Sequence, residues 1–169
     1  MRALLANAAW YASSLPARTR FLRNAPRAAE VQAAKLRALL SANADTEFGR
    51  EHGFSHIRNL EEFRLRVPVR TYDDMRPWLY RTSDGVPNVL TREPILLFEP
   101  TGGSSGDWKA VPYTQSLQRE FQDAIAVWIA DLFHSHPGMM SGRSYWSITP
   151  PRPRPARTRG GTRIGFASD

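Results

Sequence analysis

The sequence predicts an α/β chain: a helical N-terminal region, then a strand, a glycine- and serine-rich loop, a return strand and a long helix. Three observations carry this expectation. Residues 28–42 are rich in Ala and Leu and contain no Gly or Pro, which favours helix. Ile95-Leu-Leu-Phe-Glu99 and Lys109-Ala-Val-Pro-Tyr113 flank the loop Thr101–Asp107, as two short strands flank a turn. Leu117, Phe121, Ile125, Trp128 and Leu132 recur every three or four residues and form one apolar stripe on a helix.

Composition bounds the rest. The chain has 169 residues, 41% of them hydrophobic and 11% aromatic. That is one domain or a piece of a larger one, with enough apolar surface to exclude a wholly disordered chain. The formal charge of +7 sits at the ends. Residues 1–27 and 151–163 each hold five Arg and no acid, whereas residues 28–150 hold 13 basic and 15 acidic residues. A uniformly basic chain would point to nucleic acid or an anionic membrane, and this distribution weakens that reading. The basic residues are 21 Arg and two Lys, Lys35 and Lys109, a bias expected of a GC-rich genome that makes Lys109 conspicuous. Cysteine is absent, which excludes disulfides and thiolate chemistry. No apolar run reaches the ~18 residues that span a bilayer. The opening residues, Met1 to Trp10, resemble a signal peptide in outline. Asn7 interrupts the apolar stretch and Ser13–Ala17 is a poor cleavage site, so an amphipathic first helix is the preferred reading.

The elements follow in order. Residues 1–27 form a basic N-terminal helix or extension, and Pro26 precedes the helix expected over residues 28–42. Residues 46–54 read as a glycine-punctuated connection. Asn59 caps a short helix, with Glu62 placed to reach back to the cap amide, and Pro68 limits its length. Thr71 and Asp74 repeat the device, so Asp73 and Asp74 are capping residues and not a catalytic pair. Ser83-Asp84-Gly85 marks a turn. Pro112 demotes the return strand to an edge. Thr114 caps the long helix, which runs to about Phe133, with Trp128 in the core. Tyr145–Thr149 is a further strand candidate, and residues 150–163 read as a mobile Pro/Arg-rich loop.

The segment Thr101-Gly-Gly-Ser-Ser-Gly-Asp-Trp-Lys109 carries the chemistry. Glycines let backbone N–H groups approach an anion, hydroxyls add donors, and a lysine adds a full positive charge. These are the requirements for gripping a polyphosphate. Trp108 before the lysine, and a strand after the loop instead of a helix, exclude a Walker loop; the dinucleotide fingerprint cannot be placed either. Taken alone, the pattern also suits a flexible Gly/Ser hairpin with no ligand.

The flanks resolve that ambiguity. The loop resembles the phosphate loop of the adenylate-forming superfamily and departs from it only at Trp108, where Pro is usual. Phe48-Gly49, His52-Gly53-Phe54, Phe63–Val69, Thr71–Asp74, Gly85–Leu90, Phe98-Glu99, Val111–Thr114 and Tyr145–Pro150 follow in the order seen in the Gretchen Hagen 3 (auxin-responsive promoter) family of acyl acid amido synthetases. Bacterial members share this pattern. The resemblance covers residues 28–169, and residues 1–27 weakly. It implies the N-terminal part of an adenylate-forming domain over residues 28–169. In that family a carboxylate attacks the α-phosphate of ATP, with Mg²⁺ present, giving an acyl-adenylate and pyrophosphate. An amino acid amine then displaces AMP.

By resemblance, Thr101, Gly102, Gly103, Ser104, Ser105, Gly106 and Lys109 would hold the phosphates, with Lys109 neutralising charge on the departing pyrophosphate. The later family motifs, for adenine, metal and the mobile C-terminal domain, have no counterpart in this sequence. The chain is therefore expected to be a fragment, inactive alone, whose exposed apolar faces need the remainder of the fold. Carboxylic acid and amino acid are the implied partners, no membrane is involved, and the cytoplasm is the expected location. The competing reading is a small Arg-rich nucleic-acid-binding module. His134 and His136 lack companions for a metal set and read as solvated residues at a helix C-terminus.

Overall fold

A computed structural model describes residues 2–101, 109–143 and 157–165. Its architecture is the mixed α/β arrangement expected, mostly helical with one small sheet. Six α-helices are described: α1 (Arg2–Asn24), α2 (Ala28–Ala42), α3 (Glu47–Glu51), α4 (Leu60–Arg66), α5 (Tyr72–Ser83) and α6 (Gln115–Ser135). Three strands, β1 (Ile95–Thr101), β2 (Lys109–Thr114) and β3 (Arg163–Ile164), form a sheet in the order β2-β1-β3. The described residues divide into two compact units, one drawn from 1–28 with 116–149 and the other from 29–115 with 150–169.

The first unit pairs α1 with α6. Phe133 of α6 meets Trp10 and Tyr11 of α1 edge-on, with ring centroids 6.2 and 6.4 Å apart. Further along α1, Arg18 reaches Asp131 at 3.3 Å and Arg20 reaches Asp123 at 2.7 Å, so the helices run antiparallel. The Asn7 amide donates to the Met140 and Gly142 carbonyls at 2.9 and 3.0 Å. The turn over residues 137–142 is thereby held to one buried side chain of α1. Pro16 lies inside α1.

The face that α6 buries differs from the expected stripe. Ile129, Ala130 and Phe133 are buried, whereas Phe121 is 56% and Trp128 52% exposed. Trp128 is therefore not a core residue. Register explains the difference. The rings of α1 meet Phe133, so the buried face is the one that contains it, and the face carrying Leu117, Phe121 and Trp128 is turned about the helix axis from there. Both faces are apolar, and periodicity alone cannot say which one is covered.

The second unit holds the sheet. β1 and β2 pair antiparallel, with Thr101 opposite Lys109 and Phe98 opposite Pro112. β3 lies parallel to β1 on its other side. Pro112 thus sits on an edge strand, as expected of a residue with no N–H to donate to the ladder. Among the described residues of the expected Pro/Arg-rich loop over 150–163, 157–162 form a turn closed by Gly161 N–H to Thr158 O at 3.0 Å, and Arg163 enters the sheet. The strand expected over Tyr145–Thr149 falls outside the described residues, as do loop residues 102–108.

Residues 46–56 are more ordered than a connection. Thr46 is fully buried and its hydroxyl accepts from Gly49 N–H at 2.9 Å, starting α3. A Cβ on Gly49 would stand 2.0 Å from the Asn43 carbonyl oxygen, so the tight approach of these two segments requires glycine. Backbone bonds from Glu47 to Asn88 and from Phe48 to Val89, at 2.9 and 3.1 Å, tie α3 to the segment preceding β1. The caps behave as expected with one shift. Asn59 accepts from Glu62 N–H at 2.9 Å, but the Glu62 carboxylate takes the Arg58 N–H at 2.8 Å, one residue before the cap. Thr71 and Asp74 complete a reciprocal capping box on α5.

Candidate functional site

The site is built on the β1–β2 hairpin and the first turn of α5. Lys109 opens β2 directly across from Thr101, the last residue of β1, so the ladder clamps both ends of the glycine-rich loop. β1 begins after Pro94 and runs through an apolar stretch, and Phe98 at its centre is buried. The hairpin stem is therefore anchored in the unit while its loop end carries the polar residues.

Tyr72, the first residue of α5, ties that helix to the stem. Its hydroxyl accepts the Ala110 N–H at 2.9 Å, and the Lys109 ammonium lies over its ring, 5.4 Å from the centroid. That distance is within the range of a cation–π attraction. The capping box fixes Tyr72 in turn. The Asp74 carboxylate accepts from the Thr71 N–H and hydroxyl, both at 2.8 Å. The Thr71 backbone bond first, then its hydroxyl, hold the Asp74 pKa below its ordinary value, and Arg70 adds to the effect. Asp73 pairs with Arg76 at 2.9 Å. Asp74 thus caps the helix as expected, whereas Asp73 forms an ion pair along it instead of a cap.

A cavity of about 700 Å³ opens beside the stem, bounded by Tyr72, Tyr80, Phe98, Ala110, Arg157 and Ile164 among others. Its far wall exists because two turns meet backbone to backbone. Gly160 N–H donates to Ser83 O at 3.0 Å, and a Cβ on Gly160 would fall 2.4 Å from the Gly85 nitrogen. A second polar arrangement supports α5 from behind. Buried His52 stacks on Phe48 with centroids 4.1 Å apart, bonds the Phe48 carbonyl through Nδ1 at 2.9 Å, and meets Arg70 at Nε2 at 3.0 Å. These contacts make Nδ1 the protonated nitrogen, with Nε2 accepting from the guanidinium. Arg70 also lies over the Trp78 ring at 4.9 Å.

Of the expected site residues, Lys109 and the backbone of Thr101 are brought together at the loop's ends, while Gly102, Gly103, Ser104, Ser105 and Gly106 fall outside the described residues. His134 and His136 are exposed at the end of α6, and the Tyr11 hydroxyl is 3.4 Å from His134 Nδ1. No group of three or more His, Asp or Glu among the described residues could hold a metal. No helix among them is long and apolar enough to cross a membrane. Tyr72, His52 and Gly160 were not singled out from the sequence as site-supporting residues. The adjacent glycines at 160 and 161 were the available signal for a close backbone approach.

The fold is similar to part of solved acyl acid amido synthetase structures. The chain overlays the solved structure of AtGH3.15 acyl acid amido synthetase in complex with 2,4-DB with a TM-score of 0.67 and 28% identity, covering 80% of this chain and 24% of that one. The GH3 family N-terminal domain matches residues 17–169, and the chain belongs to that family. Among curated relatives, it is 38% identical over 122 residues to the probable indole-3-acetic acid-amido synthetase GH3.2 of Oryza sativa subsp. japonica. It is 32% identical over 120 residues to the indole-3-acetic acid-amido synthetase GH3.15 of Arabidopsis thaliana. These matches span 70% and 68% of this chain and 20% of each relative. The nucleic-acid reading gains no support: Arg18 and Arg20 of the basic N-terminal region are engaged with Asp131 and Asp123.

Proposed function

We propose that this chain supplies the phosphate-binding N-terminal part of an ATP-dependent acyl acid amido synthetase, with residues 1–27 as a basic helical extension and 28–169 as the beginning of the adenylating domain. The observation that carries the proposal is Lys109 standing across from Thr101 at the ends of a Gly/Ser loop, in a chain of this family. In the proposed reaction a carboxylate oxygen attacks the α-phosphorus of ATP, and the bond from that phosphorus to the β-bridging oxygen breaks. Negative charge grows on the departing pyrophosphate. Ser104, Ser105, the amides of Gly103 and Gly106, and the Lys109 ammonium would stabilise it without reorganising. An amino acid amine then attacks the acyl carbon and AMP leaves.

Among the described residues Lys109 offers a cation for the phosphates, and no group of three or more His, Asp or Glu could hold Mg²⁺. In-line reaction needs the α-phosphate, the carboxylate and the adenine held together, and losing such positioning removes up to ~7–11 kcal/mol of barrier lowering. One lysine and a few loop donors do not replace it. The 169-residue chain should therefore bind phosphate without turnover, in the cytoplasm where ATP is made available. ATP–pyrophosphate exchange, assayed with aromatic and fatty acids, should stay at background for this chain. It should appear when residues 28–169 replace the matching segment of a plant relative. Robust exchange by the 169-residue chain itself would overturn the division of labour proposed.

A further inference from the structure

We propose that Tyr72 is a positioning residue for Lys109: its ring carries the ammonium and its hydroxyl holds the strand from which that ammonium projects. Lys109 is exposed at the first position of β2, where a four-carbon side chain would sample many rotamers. The Tyr72 ring at 5.4 Å offers the ammonium one favoured seat. The Tyr72 hydroxyl accepts the N–H of Ala110, the next residue, at 2.9 Å, so the seat and the strand cannot shift independently. The capping box at Thr71 and Asp74 fixes the helix turn that bears Tyr72. One aromatic residue thereby contributes to both the position of the lysine's backbone and the direction of its charge. The functional half of this inference rests on reading residues 101–109 as a phosphate loop.

The test exploits the scarcity of lysine. Reductive ¹³C-methylation of the full chain labels Lys35, Lys109 and the α-amino group, and Lys35→Arg and Lys109→Arg variants assign the signals. The Lys109 methyl resonances should lie upfield of those of Lys35 through the Tyr72 ring current. The displacement should persist in Tyr72→Phe and vanish in Tyr72→Leu. Coincident Lys109 and Lys35 signals in the unaltered chain would overturn the contact.

Inorganic tripolyphosphate is then titrated into the unmethylated proteins, with circular dichroism confirming that each variant is folded. Tyr72→Leu should bind about two- to five-fold more weakly, the size of an exposed cation–π contact. Tyr72→Phe should recover most of the loss, and Tyr72→Leu should add nothing on a Lys109→Ala background. Additive losses in the double variant would make Tyr72 a structural residue only. An intact ring-current shift with no tripolyphosphate binding by the unaltered chain would overturn the phosphate reading, whereas binding that Tyr72→Leu does not weaken would overturn this inference alone.

Discussion

Single residues set the distances at which segments of this chain meet, and two of them expose the physics plainly. At Gly160 the limit is steric. A methyl group there would lie within 2.4 to 2.7 Å of three backbone atoms of Asp84 and Gly85, atoms that cannot move aside as a side-chain tip can. Gly160→Ala should cost about 1–3 kcal/mol, the range for overpacking, read as a lowered urea midpoint. At Asp74 the limit is electrostatic. Its pKa is depressed in the folded chain below the ordinary 3.8. The carboxylate therefore stabilises the fold at pH values above 3.8, and that contribution is lost as pH falls through the depressed folded-state value. Asp74→Asn should flatten the acid limb of a stability–pH profile between about pH 4 and its lower end, while the unaltered chain keeps the slope. An unchanged profile would mean that the capping carboxylate contributes nothing.

At the scale of elements, local structure is legible in the sequence and long-range pairing is not. The helix over residues 28–42, the cap at Thr71 and the hairpin strands follow from propensity and capping within a few residues. Such terms act whatever the rest of the chain does. The buried face of α6, the entry of β3 beside β1 and the His52–Arg70 contact depend on partners far away in sequence, for which no local pattern exists. The same holds for the site. Lys109 and Thr101 are legible as loop ends, but Tyr72 reaches the hairpin across 38 positions of sequence. Two substitutions on α6 separate its faces. Phe133→Ala, at a side chain 4% exposed against Trp10 and Tyr11, should cost about 3–5 kcal/mol. Phe121→Ser on the exposed face should change stability by less than about 0.5 kcal/mol. Denaturant titration of both variants checks the ordering, and a reversed order would restore the stripe read from the sequence. On α4, Asn59→Ala removes the acceptor for Glu62 N–H and should lower stability by about 1 kcal/mol.

For the molecule as a whole, the proposed phosphate grip belongs to a chain that matches a fifth of the length of these relatives. What supports it is a stem whose two ends, Thr101 and Lys109, stand opposite each other in the β1–β2 register. Calorimetric titration of the 169-residue chain with ATP, pyrophosphate and adenosine, each repeated with Lys109→Ala, tests the claim most directly. ATP and pyrophosphate should bind weakly and adenosine hardly at all, and the variant should lose most of the phosphate binding. Equal affinity for ATP and adenosine, or undiminished ATP binding by Lys109→Ala, would contradict it.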